Sequence, residues 1–150
     1  MTRPFQDIFS VKELGARIRA IIGVPEEILG DNVINSPSFK IKASNYINKK
    51  INEYTEEQLS IHFELLDIAY LYYICYLLCT GMYARLPKQM ENVSTKTILQ
   101  TIDWDSKALE MLNKCDEILD EILSELDDSF QYGNTFAVLS DASEYPNTNI

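Results

Sequence analysis

The chain has 150 residues, 46% hydrophobic and 24% charged, which fits one globular domain with a modest core and excludes a disordered one. Its formal charge of −10 is unevenly held: residues 1–54 carry 8 basic and 6 acidic side chains, and residues 55–150 carry 5 and 17. So acidic a second half excludes a protein that grips nucleic acid by neutralising phosphates, though not one that lets DNA slide past.

Ser10-Val11-Lys12-Glu13 has capping-box spacing and predicts a helix start. Leu14, Ile18, Ile21 and Ile22 give that helix an apolar face, with Arg17 and Arg19 on the more polar side. Gly23 supplies a left-handed C-cap and Pro25 forbids continuation. Residues 24–35 read as a loop with at most one helical turn at 25–29. Ser36-Pro37 then reads as N-cap and first position of a second helix. Phe39, Ala43, Tyr46, Ile47, Ile51 and Tyr54 follow at helical spacing. Lys40, Lys42, Lys49 and Lys50 make it the basic element, either solvated or facing an acidic neighbour.

The organising stretch is residues 55–84. Thr55-Glu56-Glu57-Gln58 is a second capping box, and no proline follows until Pro87. In its first half Leu59, Phe63, Leu66 and Tyr70 share a face, opposite Glu57, Ser60, Glu64 and Asp67. Beyond Asp67 the polar face is replaced by Leu71, Ile74 and Leu78. A helix apolar all round is buried all round, in a large core, an oligomer or a membrane. The persisting face, with Tyr73 and Leu77, is expected to form the chain's own core. The added face is expected to meet a later-packing element or a neighbouring subunit.

From residue 88 to 103 the helical stripe is lost and β-branched Thr95, Thr97, Ile98, Thr101 and Ile102 predominate. This predicts an extended loop or a short β-arm. Asp103 or Asp105 caps a fourth helix running to about residue 127. Its stripe is Ala108, Leu112, Cys115, Leu119, Ile122 and Leu126, widened by Leu109, Met111, Ile118 and Leu123. Residues 112–122 of that stripe are expected to pack antiparallel on the central helix. Acids at Asp116, Glu117, Asp120, Glu121 and Glu125 hold much of the outer face. In the tail, Phe130, Tyr132, Phe136, Val138 and Leu139 surround Gly133-Asn134, which reads as a tight hairpin turn. This aromatic tail docks either on another chain or back on its own domain, and the polar end frays.

The fold class is therefore mainly α: a four-helix bundle-like domain over residues 1–127, with a long central apolar helix. An extended loop or short β-arm occupies about 88–102, and an extended C-terminal arm covers 128–150. The candidate subunit or partner interface is Leu71, Ile74 and Leu78, with Thr97, Ile98 and Leu99 of the loop and Phe130, Tyr132, Phe136, Val138 and Leu139 of the tail.

Catalytic patterns are missing from the sequence. His62 is the one histidine, and the sole partner for any Ser–His or Cys–His pair. A di-iron bundle needs two Glu-x-x-His motifs, and position 59 is Leu. There is no CxxC knuckle and no Gly-rich phosphate loop. Cys75, Cys79 and Cys115 read as free buried thiols in a reducing compartment. The stretch Met1-Thr2-Arg3-Pro4-Phe5 has no apolar signal-peptide core. No cofactor, metal or enzymatic activity is expected. Residues 68–84 are uncharged, the minimum length for a membrane span. Four tyrosines in the interior of that run, Tyr70, Tyr72, Tyr73 and Tyr76, argue against one, because spanning helices keep tyrosine at their ends.

The order of these signals resembles the small head–tail adaptor (head-completion or connector) proteins of tailed bacteriophages. The resemblance is carried by Ile18-Arg19-Ala20-Ile21-Ile22-Gly23-Val24-Pro25, Ser36-Pro37-Ser38-Phe39 and the Tyr-rich helix around 66–78. It continues through Leu86-Pro87, the Thr-rich stretch 93–101, and Asp103-Trp104 opening an acidic helix. It covers about residues 11–126 and leaves out the cysteines and the tail. It implies a structural virion protein, made in the host cytoplasm and placed at the neck. Such a protein forms a homo-oligomeric ring, commonly dodecameric, between the portal and the tail or neck proteins, and its bore passes DNA without binding it. The alternative is a non-viral acidic helical binding module, a regulator or immunity-type protein, working as a monomer or dimer on a basic partner.

Overall fold

The computed structural model describes residues 10–84 and 102–142, the stretch 129–142 as backbone. These residues are mainly helical, with no strand among them. The expected loop at 88–102, with Thr97, Ile98 and Leu99, lies outside the described residues apart from Ile102, which packs partly buried against the core.

Helix α1 is Val11–Ile22. Ser10 accepts the Glu13 N–H at 3.1 Å and so satisfies one of the orphan donors of the first turn. Gly23 ends the helix at φ 85, where a side chain would be strained, and its N–H reaches Arg19 O at 2.8 Å. A turn at Pro25 then buries Ile28 and Leu29. Next comes a short helix, α2 (Asp31–Ile34), which the sequence did not suggest. Arg19 holds it: Nη1 donates to Asp31 Oδ1 at 2.8 Å and to Leu29 O at 2.9 Å. Asn35 Nδ2 ties the other end to Val11 O at 3.1 Å. Gly15 makes this approach feasible, since a Cβ there would lie 2.0 Å from Asp31 Oδ1.

Helix α3 (Pro37–Ile51) starts with Pro37 in its first turn, where no N–H is needed. The organising stretch is not one uninterrupted α-helix. Thr55 and Gln58 form the reciprocal capping box of α4 (Glu56–Leu59), and a 3-10 turn at Ser60–His62 leads into α5 (Phe63–Thr80). Ser60 Oγ donates to Glu57 O at 2.8 Å, a local bond that competes with the regular helical ladder. After Gly81, residues 82–84 make a last helical turn. Asp103 caps α6 (Trp104–Ala142) by accepting the Ser106 N–H at 3.1 Å. The Tyr83 hydroxyl accepts the Trp104 N–H at 3.0 Å, joining the end of the central stretch to the start of α6.

Helix α5 lies at the centre and packs most extensively on α6, then on α3 and α1. Its buried side changes along its length. Leu66, Ala69 and Tyr70 are buried first, then Leu71, Ile74, Cys75, Leu78, Cys79 and Met82 in the following turns. Leu71, Ile74 and Leu78, expected to meet a later-packing element or a neighbouring subunit, are 3%, 0% and 0% exposed within this one chain. Of the two outcomes expected for this face, packing on another element of the same chain is the one these burials match. Tyr73 and Leu77, expected in the core, are only half-buried. On α6, Met111 takes the core position expected of Leu112, and Leu109 is exposed. The stretch Glu56–Thr80 is long and apolar enough to cross a membrane, yet here it is the core element of a bundle.

The hairpin expected at Gly133-Asn134 is corrected. The backbone of α6 stays helical through Ala142 and passes the expected 127/128 boundary without interruption. Extending an existing helix fixes one residue per new hydrogen bond, and no proline intervenes before Pro146. A hairpin would have needed a new nucleus and a partner for its apolar side chains.

Candidate interaction surfaces

A seam of tyrosines runs where α3, α5 and α6 meet. Tyr46 of α3 stacks on Tyr73 of α5 with ring centroids 4.3 Å apart, and Tyr76 tilts against Tyr73 at 5.3 Å. Tyr46 donates its hydroxyl hydrogen to Asp116 Oδ1 at 2.5 Å. Lys50 Nζ lies 3.9 Å from the same carboxylate oxygen and 5.4 Å from the Tyr46 ring centroid. One turn beyond the end of α3, Tyr54 donates to Asp127. Carboxylates receiving phenol protons hold those protons in place. The Tyr54 hydroxyl is pushed up to about 12 by its bond to Asp127 and then by burial. Burial, followed by the Asp116 bond, pushes Tyr46 up further. Part of the basic α3 surface therefore meets its acidic neighbour within the chain, while Lys42 and Lys49 remain exposed.

The opposite side of α6 is acidic and open. The helix carries ten acidic side chains and two lysines. Glu110, Glu117, Asp120, Glu121, Glu125 and Asp128 are exposed. Lys114 pairs with Glu110 at 3.5 Å and sits 5.7 Å above the Tyr72 ring. Glu125 Oε2 lies 3.5 Å from Nδ1 of the buried His62.

The three cysteines are buried free thiols. Burial pushes Cys79 up to about 11 and Cys115 to about 12, and Cys75 higher still, so none is a ready nucleophile near neutral pH. Among the described residues no three His, Cys, Asp or Glu side chains cluster as metal ligands. Of the sequence-derived interface residues, Leu71, Ile74 and Leu78 are core. Phe130, Tyr132, Phe136, Val138 and Leu139 fall on the helical backbone of α6, and their side chains lie outside the described residues. The structure describes the side chains of Leu71, Ile74 and Leu78 alone of this set, and they lie in the core. It reveals instead two features the sequence reading missed: the Tyr46–Asp116 seam and a strongly exposed Ile61. The 61, 65, 68, 72 spacing was the available signal for the second.

Compared with known proteins, the chain matches no family model, no curated protein and no solved structure.

Proposed function

We propose that this chain is a structural assembly protein of the head–tail adaptor kind. It assembles as a ring at the neck of a virion, between portal and tail, with α6 turned toward the DNA passage. The observation that carries the reading is the open acidic face of α6. Like charges along a passage repel phosphate, so DNA moves through without being held. The helical bundle architecture and the order of sequence signals support the same reading. Cryo-electron microscopy of the protein with a portal tests it. A closed ring coaxial with the portal, its α6 facing the bore, is the expected result. Density away from the portal–tail axis would contradict it.

A second reading is favoured by one observation. Leu71, Ile74 and Leu78 are buried within a single chain, so the fold closes without a neighbour. A self-contained acidic bundle suits a binding module for a basic protein. Native mass spectrometry separates the two, because the module gives a one-to-one complex and the adaptor a high-order ring on its portal.

A further inference from the structure

One apolar stripe on the surface belongs neither to the core nor to the acidic face. Ile61, Leu65, Ile68 and Tyr72 follow one another at spacings of four, three and four from the 3-10 turn into α5. Within α5 that spacing keeps Leu65, Ile68 and Tyr72 on one side, and Ile61 precedes them in the 3-10 turn. Ile61 is 83% exposed and Ile68 38%, while Leu65 and Tyr72 are half-buried with their inner edges on the core. Isolated exposed apolar residues are ordinary, whereas apolar residues grouped in a contiguous row can serve as a docking face.

The flank of α6 runs alongside this row. Lys114, Ile118, Glu121 and Glu125 have the same spacing in the antiparallel sense. Two contacts fix the register: Lys114 over the Tyr72 ring at one end, and Glu125 against His62, next to Ile61, at the other. Between them in sequence, Ile118 is half-buried against the core. Exposed acids lie near the row, Glu64 on α5 and Glu121 and Glu125 on α6. The surface is thus an apolar row, most exposed at Ile61, with acidic side chains nearby.

We propose that this row is a docking site for a basic amphipathic helix of a partner protein, laid along α5. The apolar row takes leucine-type side chains repeating at four and three, and the neighbouring acids take lysine or arginine beside them. Charge complementarity decides the occupant. An acidic or neutral helix would lose the pairing with these acids, and a second copy presenting its own acidic α6 would be repelled. Lys114 at the Tyr72 end also sets direction, because the partner's strongest basic cluster belongs over Ile61. This inference rests on the binding-module reading, since it assigns Glu121 and Glu125 to a basic partner rather than to a DNA passage.

The test is fluorescence anisotropy with a labelled amphipathic peptide of about 18 residues, long enough to hold a helix. It carries leucines at the four–three–four spacing with flanking lysines. The controls are the same peptide with alanine for leucine, and one with glutamate for lysine. The leucine–lysine peptide is expected to bind, more weakly as salt rises, and both controls are expected to lose roughly tenfold or more in affinity. Ile61→Ser with Ile68→Ser should weaken binding to a similar degree. Ile61→Ser alone is the safeguard if the double variant melts early, since its side chain is largely in water. Glu64→Lys with Glu121→Lys should weaken the lysine peptide and improve the glutamate one. Equal binding of the alanine peptide, or indifference to Ile61→Ser, would overturn the proposal. So would sedimentation showing a dimer of the free protein that Ile61→Ser dissolves, which would assign the row to a second copy. Slow maleimide labelling of Ile61→Cys would overturn it as well, by showing the chain itself covering the row.

Discussion

In the first half of α5 the buried side chains are Leu66, Ala69 and Tyr70, with Glu64 and Ile68 facing out. In the second half Leu71, Ile74, Cys75, Leu78 and Cys79 are buried, and Tyr72, Tyr73, Tyr76 and Leu77 are only partly covered. The same helix therefore uses different sides for its core as its neighbours change. Summed over its length the sequence looks apolar all round, although each segment has a less buried side. Tyrosine suits that less buried side, since its ring packs while its hydroxyl reaches a partner or water. A missing polar face is thus a sign of changing helical neighbours inside one chain as much as of a subunit contact.

The sharpest way to break this contrast is Ile74→Lys. A lone charge at a fully buried position costs several kcal/mol, a large part of a small domain's stability. The variant is expected to lose its cooperative melt by circular dichroism, whereas Ile61→Lys should melt close to the parent. A folded, monomeric Ile74→Lys would return that face to an interface.

Next in size is the pair of tyrosines that represent the two sides. Tyr70→Ala empties a buried aromatic site and should cost about 3–5 kcal/mol in urea unfolding. Tyr73→Ala removes a half-buried ring and its stack on Tyr46, and should cost about 1–2 kcal/mol. A larger loss at Tyr73 than at Tyr70 would reverse the assignment of sides.

Gly15→Ala probes the α1–α2 clamp. Helix propensity alone favours alanine by about 1 kcal/mol. The new Cβ would meet Asp31 Oδ1 and disturb the Arg19 pair, so a net loss of about 1–2 kcal/mol is expected. In an Asp31→Ala background the same change should become neutral or stabilising, and thermal melts of the four proteins read out that coupling.

How much of this was legible in the sequence follows a physical division. Caps depend on neighbours within four residues, so Ser10, Gly23, Ser36-Pro37, Thr55-Gln58 and Asp103 all marked ends correctly. Helix order and the mainly α class followed from them. Long-range pairings were not legible: nothing local announces that Arg19 will seek Asp31, or Tyr46 seek Asp116. Without Arg19 to hold it, Asp31–Ile34 reads as loop. Gly133-Asn134 has turn chemistry, but a helix propagating from Trp104 overrides it. The side of α5 that is buried depends on which helices lie beside it, information that periodicity alone does not hold.

A further expected effect is alkaline. Tyr54, at about 12 in the fold against an ordinary 10, keeps its proton where the unfolded chain has lost it. Its contribution is therefore fully present below about pH 10 and is lost as pH rises toward 12. Tyr54→Phe should flatten the decline in melting temperature over that window.

The claim that α5 is buried by its own chain is tested most directly by urea unfolding at protein concentrations spanning about a hundredfold. A core closed within one chain gives a midpoint and slope independent of concentration. A midpoint that climbs with concentration would show that Leu71, Ile74 and Leu78 need a second subunit, and would contradict the account.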